Sequence, residues 1–171
     1  MNDSIQYLDL AESAEFSEMK DLLVKINRSA AVVKGGRRFS FSALSVTGNS
    51  AGVVGHGYGK ARQVPNAIEK AGKDARKHLI RVPITAPNGS IPHEVTGEFC
   101  GSMVRLLPAA EGTGLIAGAA VRAVCEMAGI RNVLSKAYGS TNPINLIKAT
   151  FDALARLRTQ EQVASLRGVE L

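Results

Sequence analysis

The chain has 171 residues, of which 45% are hydrophobic and 21% charged, and its net charge is +6. This composition excludes wholesale disorder, and no apolar run approaches the roughly 18 residues that a membrane helix needs. The acidic first residues do not resemble a signal or transit peptide, so a cytosolic protein is expected. The two cysteines and three histidines lack metal-ligand spacing, so neither a metal site nor a cofactor is predicted.

The charge is distributed unevenly along the chain. Residues 1–21 hold six acidic residues against one basic residue, Lys20, and show no sustained periodicity, which predicts a mobile tail. Residues 25–81 hold twelve Lys or Arg against two acidic residues, Glu69 and Asp74. A positive field concentrated in one segment is typical of a protein that binds a phosphate backbone, whereas a solubilising surface would mix both signs.

The segment after the tail is predicted to begin with a β-hairpin. Alternating apolar residues predict a first strand over residues 22–33, and the basic, glycine-containing loop Lys34–Arg38 connects it to a second strand over residues 38–47. Within the second strand the apolar parity slips by one residue at Ala43–Leu44. Either a β-bulge at that point or burial of both strand faces would explain the slip.

A third strand and a helix complete this half of the chain. The strand is predicted over residues 53–58, and the helix begins near Pro65, whose fixed φ suits a first turn. The apolar stripe of the helix continues as far as Leu79. Four cations lie off that stripe and are expected to face water or a partner: Lys70, Lys73, Arg76 and Lys77.

Prolines and glycines near residue 85 predict a boundary between two domains, 22–85 and 86–171. The second domain is predicted to contain strands over 91–99, 102–107 and 133–137, with helices over 115–128 and 143–158. A short terminal helix is expected within residues 160–171. The fold class is therefore α+β.

Two glycine-rich segments of the basic half are candidate phosphate sites. In Lys34–Arg38 the glycines permit close backbone approach, and Arg37 and Arg38 can fork onto phosphate oxygens; the alternative is a hairpin tip made basic for solubility. Gly55–Lys60, followed by Arg62, precedes a helix N-terminus. It forms either an anion site or a glycine-rich strand closely packed under a helix.

A third glycine-rich segment, residues 108–120, opens a helix of small residues. It is similar to the phosphate loop of small-molecule kinases of the galactokinase and homoserine kinase type, so a small ATP-binding, kinase-like protein is the alternative function. Ile116 and Ala117 stand where those kinases have serines that serve the nucleotide and metal. Close packing of a helix on a sheet is the favoured explanation, and neither enzymatic activity nor a small-molecule substrate is expected.

Four motifs in order resemble those of the fifth protein of the bacterial small ribosomal subunit. They lie at Val33–Leu44, Gly55–Pro65, Ala110–Gly118 and Ala137–Asn145, and the match covers about residues 22–168. The resemblance implies a first domain similar to double-stranded-RNA-binding folds, with three antiparallel strands and a helix. It implies a second domain built around the βαβ unit that the family shares with those kinases.

The resemblance also implies a function in translation. It implies a structural protein that contacts small-subunit ribosomal RNA, supports subunit assembly and decoding accuracy, and lies near the messenger RNA entry path, in a cytoplasmic or organellar ribosome. Ribosomal proteins four and eight of the small subunit are the implied neighbours, and the contact with protein four maps to Gly114 and Arg122. The loop near the spectinomycin-binding region maps to about Arg28–Arg38.

The charge distribution and the resemblance together define a set of expected RNA-binding residues. The set is Lys25, Arg28, Lys34, Gly35, Gly36, Arg37, Arg38, Lys60, Arg62, Lys70, Lys73, Arg76 and Lys77. Two positions depart from the family pattern: Ala31 stands where the family commonly has Lys, and His56 replaces a more usual apolar or aromatic residue.

Overall fold

A computed structural model of the chain describes residues 5, 7, 19–85 and 88–168. The first half forms a four-stranded antiparallel sheet and one helix. Its elements are β1 (Lys20–Val33), β2 (Gly36–Gly48), β3 (Val53–Ala61), α1 (Val64–Ala75) and β4 (Leu79–Arg81). The strand order is β1-β2-β3-β4, and α1 packs on one face of β2 and β3.

The first sheet was expected to have three strands, but it has four, so this expectation is wrong. Helix α1 ends at Ala75, and Leu79 begins β4, where it pairs with Gly55 of β3. Leu79 is fully buried. Because a buried position satisfies the apolar stripe of a helix and the inner face of a strand equally well, periodicity alone does not separate the two.

The parity slip in β2 reflects burial of both faces. Every residue from Ala43 to Thr47 is buried, so the bulge expected at Ala43–Leu44 is wrong and the alternative is confirmed. The hairpin does contain an irregularity, but it lies in β1, where the register shifts between Leu23 and Lys25.

The second half combines a mixed sheet with three helices. Its elements are β5 (Val95–Phe99), β6 (Ser102–Pro108), β7 (Leu115–Ile116), α2 (Ala119–Ala128), β8 (Val133–Gly139), α3 (Pro143–Ala155) and α4 (Gln160–Arg167). The strand order is β5-β6-β8-β7, and β7 runs parallel to β8. The β7–α2–β8 crossover confirms the expected βαβ unit, and the expected α+β fold class is confirmed.

One hydrophobic core joins the two halves. The residues that share it include Leu44, Val46, Val54 and Ile80 from the first half and Val104, Leu106 and Phe151 from the second. Burying a side chain of this size stabilises a fold by about 1.5–3 kcal/mol. The turn between β2 and β3 is also attached to the end of α2, because the Ser50 N–H donates to the Met127 carbonyl at 2.9 Å.

The far end of the β1–β2 hairpin extends beyond this core. We call residues 28–40 the arm; all of them are exposed on the sheet surface. The expected acidic tail over residues 1–21 lies largely outside the described residues, and Lys20 and Asp21 already belong to β1. Within the described part of the chain, no helix is long and apolar enough to span a membrane.

Candidate nucleic-acid interface

The arm and the neighbouring end of β3 carry a concentration of positive charge. Residues 22–68 contain no Asp or Glu. The cations of this stretch are Lys25, Arg28, Lys34, Arg37, Arg38, Lys60 and Arg62. Among the described residues none of them takes part in an ion pair. The local field is therefore strongly positive, as an interface for phosphates requires.

The strand register divides these cations between two faces of the sheet. Asn27 pairs with Ser42, which pairs with Lys60, while Ala31 pairs with Arg38. Because side chains alternate along a strand, Lys60 and Arg38 share the face that turns away from α1. We call this side the open face. Arg37 lies on the opposite face.

Apolar side chains on the arm are exposed beside these cations. Val32 is 78% exposed and Phe39 is 46% exposed. The guanidinium carbon of Arg28 lies 4.8 Å from the centroid of the Phe39 ring, a cation–π contact. Exposed apolar groups on a projecting hairpin are typical of a surface that a partner covers.

The two glycines at the arm's tip have free space around them. A side chain at Gly35 or Gly36 would meet no atom within 4 Å, and Gly36 has a φ of +138°. The exposed backbone of this turn is open to a ligand, with Lys34 and Arg37 on either side. The geometry fits the expected phosphate approach, and the expectation that these residues bind RNA stays a prediction.

The glycines of β3 have an architectural role instead. A Cβ at Gly57 would overlap backbone atoms of Ala71 and Ala75, and a Cβ at Gly59 would overlap the Ala67 carbonyl. These glycines face α1 and let it lie directly on the strand. For Gly55–Lys60 the structure therefore favours the closely packed strand over a glycine-built anion site.

His56 lies on the other face of β3, against the second half of the molecule. Its ring centroid is 4.4 Å from that of Phe151 and 5.6 Å from that of His78. Burial, together with the smaller effects of the positive charges on His78 and Lys148, lowers the pKa of His56 to about 4. His56 is thus a neutral core residue that is unavailable for stacking on a base.

The cations of α1 differ from those of the arm because carboxylates partly neutralise them. The Lys73 ammonium lies 2.6 Å from Glu69, and the Arg76 guanidinium lies 3.6 Å from Asp21. Lys70 and Lys77 are exposed and have no carboxylate partner among the described residues. The helix therefore presents a weaker and more screened positive surface than the arm.

The two expected protein-interface residues lie in the second half. Gly114 has a φ of +72° and open space where a side chain would project, while Arg122 is exposed on α2. The Gly114 N–H donates to Oδ1 of Asn132 at 2.9 Å, and Nδ2 of Asn132 donates to the Asn88 carbonyl at 2.6 Å. Asn132, which no sequence motif indicated, thus fixes the loop that precedes β7.

Comparisons with known proteins assign the chain to a family. Residues 19–83 match the family described as Ribosomal protein S5, N-terminal domain, and residues 97–167 match Ribosomal protein S5, C-terminal domain. The small ribosomal subunit protein uS5 of Rhodopirellula baltica is 57% identical over 149 residues, covering 87% of this chain and 83% of the relative. The protein of the same name from Shewanella loihica is 52% identical over 160 residues, covering 94% of this chain and 95% of the relative.

Both halves of the chain match this family in order, and the identity extends over most of its length. The observed fold, an antiparallel sheet with a helix followed by an α/β unit, agrees with that two-part organisation. The chain therefore belongs to the ribosomal protein S5 (uS5) family of the small ribosomal subunit.

Proposed function

We propose that this structural, non-enzymatic member of the uS5 family binds small-subunit ribosomal RNA mainly through phosphates. The arm, the end of β3 and the outer face of α1 supply the contacts, within an RNA-binding region over residues 22–85 that residues 86–171 support. The observation that carries the proposal is the projecting arm whose cations have no carboxylate partner among the described residues. Family membership excludes the kinase-like alternative for residues 108–120.

Packing within the protein does not account for the length of the arm or for its exposed apolar side chains. It contributes none of the buried residues of the core, yet it exposes Val32 and Phe39 to water. In a ribonucleoprotein, RNA would cover both the charged and the apolar groups. The binding energy would then come from counterion release and from stacking on exposed side chains.

RNA binding is tested by a salt titration of the complete chain with a transcript of small-subunit ribosomal RNA. If about five phosphates are neutralised, log Kd should change with log salt concentration with a slope of magnitude roughly 4. A control RNA of equal length and unrelated sequence separates specific from non-specific binding. A slope near zero would contradict the proposal.

Contact with ribosomal protein four is proposed at Gly114 and Arg122, and ribosomal protein eight is proposed as a second neighbour. A position near the messenger entry path and a contribution to decoding accuracy are proposed from the family resemblance. Gly114→Arg is expected to change stop-codon readthrough in cells, since a long side chain would project from this loop. Gly112 also has a positive φ and open space, so Gly112→Arg is the matched control. Equal readthrough in both variants would argue against the assigned contact.

A further inference from the structure

The arm and the connection between β3 and α1 line a groove on the first sheet. Its volume is about 660 Å³. The residues that line it are Ser29, Ala31, Arg38, Phe39, Ser40 and Arg62. The groove therefore brings together residues from β1, from β2 and from the connection between β3 and α1.

Two arginines, Arg38 and Arg62, line this groove. Arg38 pairs with Ala31 in the strand register, and Arg62 follows the last paired residue of β3, Ala61, which is opposite Phe41. Neither guanidinium has a hydrogen-bond or ion-pair partner in the part of the chain that the structure describes. Each offers a planar set of five N–H donors suited to phosphate oxygens.

The surroundings of Arg62 add to the positive potential at this end of the groove. The next residue, Gln63, is the N-cap of α1 and makes no side-chain capping bond, and the first turn holds no acidic residue. Among the described residues, neither a capping side chain nor an acidic residue of the first turn therefore compensates the N–H groups and the partial positive charge of the helix N-terminus. The small residues Ser29, Ala31 and Ser40 also line the groove, which leaves room for a ligand.

We infer that this groove holds a single internucleotide phosphate of RNA between Arg38 and Arg62. The inference rests on the proposed RNA-binding function and assigns one defined site within it. Two forked guanidiniums on one phosphodiester form short charge-assisted hydrogen bonds that a diffuse basic surface does not provide. Binding at this site depends on the shape of the groove as well as on its charge.

The shape dependence is tested by filling the groove without altering any charge. Ala31→Leu enlarges a side chain that lines the groove, while Ala30→Leu makes the same change at the neighbouring exposed position, which does not line it. For a small-subunit ribosomal RNA transcript, Ala31→Leu should raise Kd by about tenfold or more, as loss of charge-assisted hydrogen bonds requires. Ala30→Leu should change Kd by less than about twofold. Equal effects of the two variants would overturn the inference.

Sharing of one phosphate is tested by a double-mutant cycle. Arg38→Gln and Arg62→Gln should each lower the magnitude of the salt slope by about 0.7–0.9, and the double variant should lower it no further. Arg37→Gln combined with Arg62→Gln is the control pair, because Arg37 lies on the other face, and its effects should add. Additivity within the Arg38–Arg62 pair would show two separate phosphates and overturn the shared site.

The two proposals fail in different ways. If the unaltered chain shows no salt-dependent binding to the transcript, the proposed RNA-binding function fails and the groove assignment fails with it. If the unaltered chain binds with a slope of magnitude roughly 4 but Ala31→Leu behaves like Ala30→Leu, only the groove assignment fails.

Discussion

The glycines at the tip of the arm and the glycines of β3 lie in opposite surroundings. A Cβ added at Gly35 or Gly36 would meet no atom within 4 Å. Gly57 and Gly59 lie directly beneath α1, where a single added carbon would overlap the helix backbone. Both segments combine glycines with Lys or Arg, so the sequence alone presents them as similar candidates for phosphate binding.

The difference shows that a glycine's role depends on what the tertiary structure puts opposite it. In the arm, glycine leaves the backbone accessible to a partner. In β3, glycine removes the side chain that would hold the helix away from the sheet. Substitutions in the two segments should therefore affect different properties, namely binding in the arm and stability in β3.

The largest expected effect is a loss of stability from a substitution in β3. Gly57→Val would force α1 away from the sheet, because its side chain would overlap the backbone of Ala71 and Ala75. We expect the free energy of unfolding to fall by about 3 kcal/mol or more. Chemical denaturation of the purified protein measures this change. Gly35→Val is the control; a similar loss in both variants would mean that the contrast between the two segments is wrong.

His56, on the face of β3 that turns away from α1, should make the free energy of unfolding depend on pH. His56 has a pKa of about 4 in the folded protein, against an ordinary value of 6.5. Between these values the unfolded chain binds a proton that the folded chain does not, so stability falls as the pH is lowered through this window. The loss should reach up to about 3 kcal/mol.

Denaturation curves at several pH values between 4 and 7 test this expectation. His56→Leu keeps the apolar contact with Phe151 and removes the titrating group. Its stability should therefore vary less with pH across the same window. If the two proteins show the same pH profile, other groups are responsible for it.

Periodicity and turn residues predicted most of the fold. The hairpin and helix α1 follow from local signals, whereas the βαβ unit was expected only from the family resemblance. The errors arose where two structures satisfy the same local pattern. Leu115 and Ile116 were predicted as helix, but they pair with Val133 and Leu134, which only the tertiary fold brings alongside.

The candidate interface was predictable in its charge and less so in its arrangement. The sequence indicates which segment is basic, because residues 22–68 contain no acidic side chain. It does not show that Lys73 lies beside Glu69 in a usable ion-pair geometry, nor that Arg38 and Arg62 line one groove. These relations depend on strand register and on the position of α1, which the local sequence leaves open.

A smaller effect is expected at the tip of the arm, and it should concern binding. Gly35→Asp and Gly36→Asp each add a carboxylate to the positive tip, which should repel phosphates and weaken binding of the ribosomal RNA transcript. Gly36 has a positive φ, so its substitution also costs about 1–2 kcal/mol of local strain. Gly35 is not in that region, so Gly35→Asp isolates the effect of the charge.

Both variants are measured for thermal stability, for RNA affinity and, in ribosomes, for spectinomycin sensitivity. We expect near-normal melting for Gly35→Asp, a modest reduction for Gly36→Asp, and weaker RNA binding with altered drug sensitivity for both. A large loss of stability with unchanged drug sensitivity would show that the turn serves only to close the hairpin.

The smallest effect separates the cations of the arm from those of α1. Lys34 has no ion-pair partner among the described residues, whereas Lys73 lies 2.6 Å from Glu69. A lysine that contacts a phosphate adds about 0.7–0.9 to the magnitude of the salt slope, while one held by a carboxylate contributes less, because binding must first displace its partner. We therefore expect Lys34→Gln to reduce the slope by nearly this amount and Lys73→Gln to reduce it little.

Glu69→Gln provides the control, since releasing Lys73 should strengthen RNA binding slightly. Equal reductions for Lys34→Gln and Lys73→Gln would mean that α1 contributes to the RNA interface as strongly as the arm does.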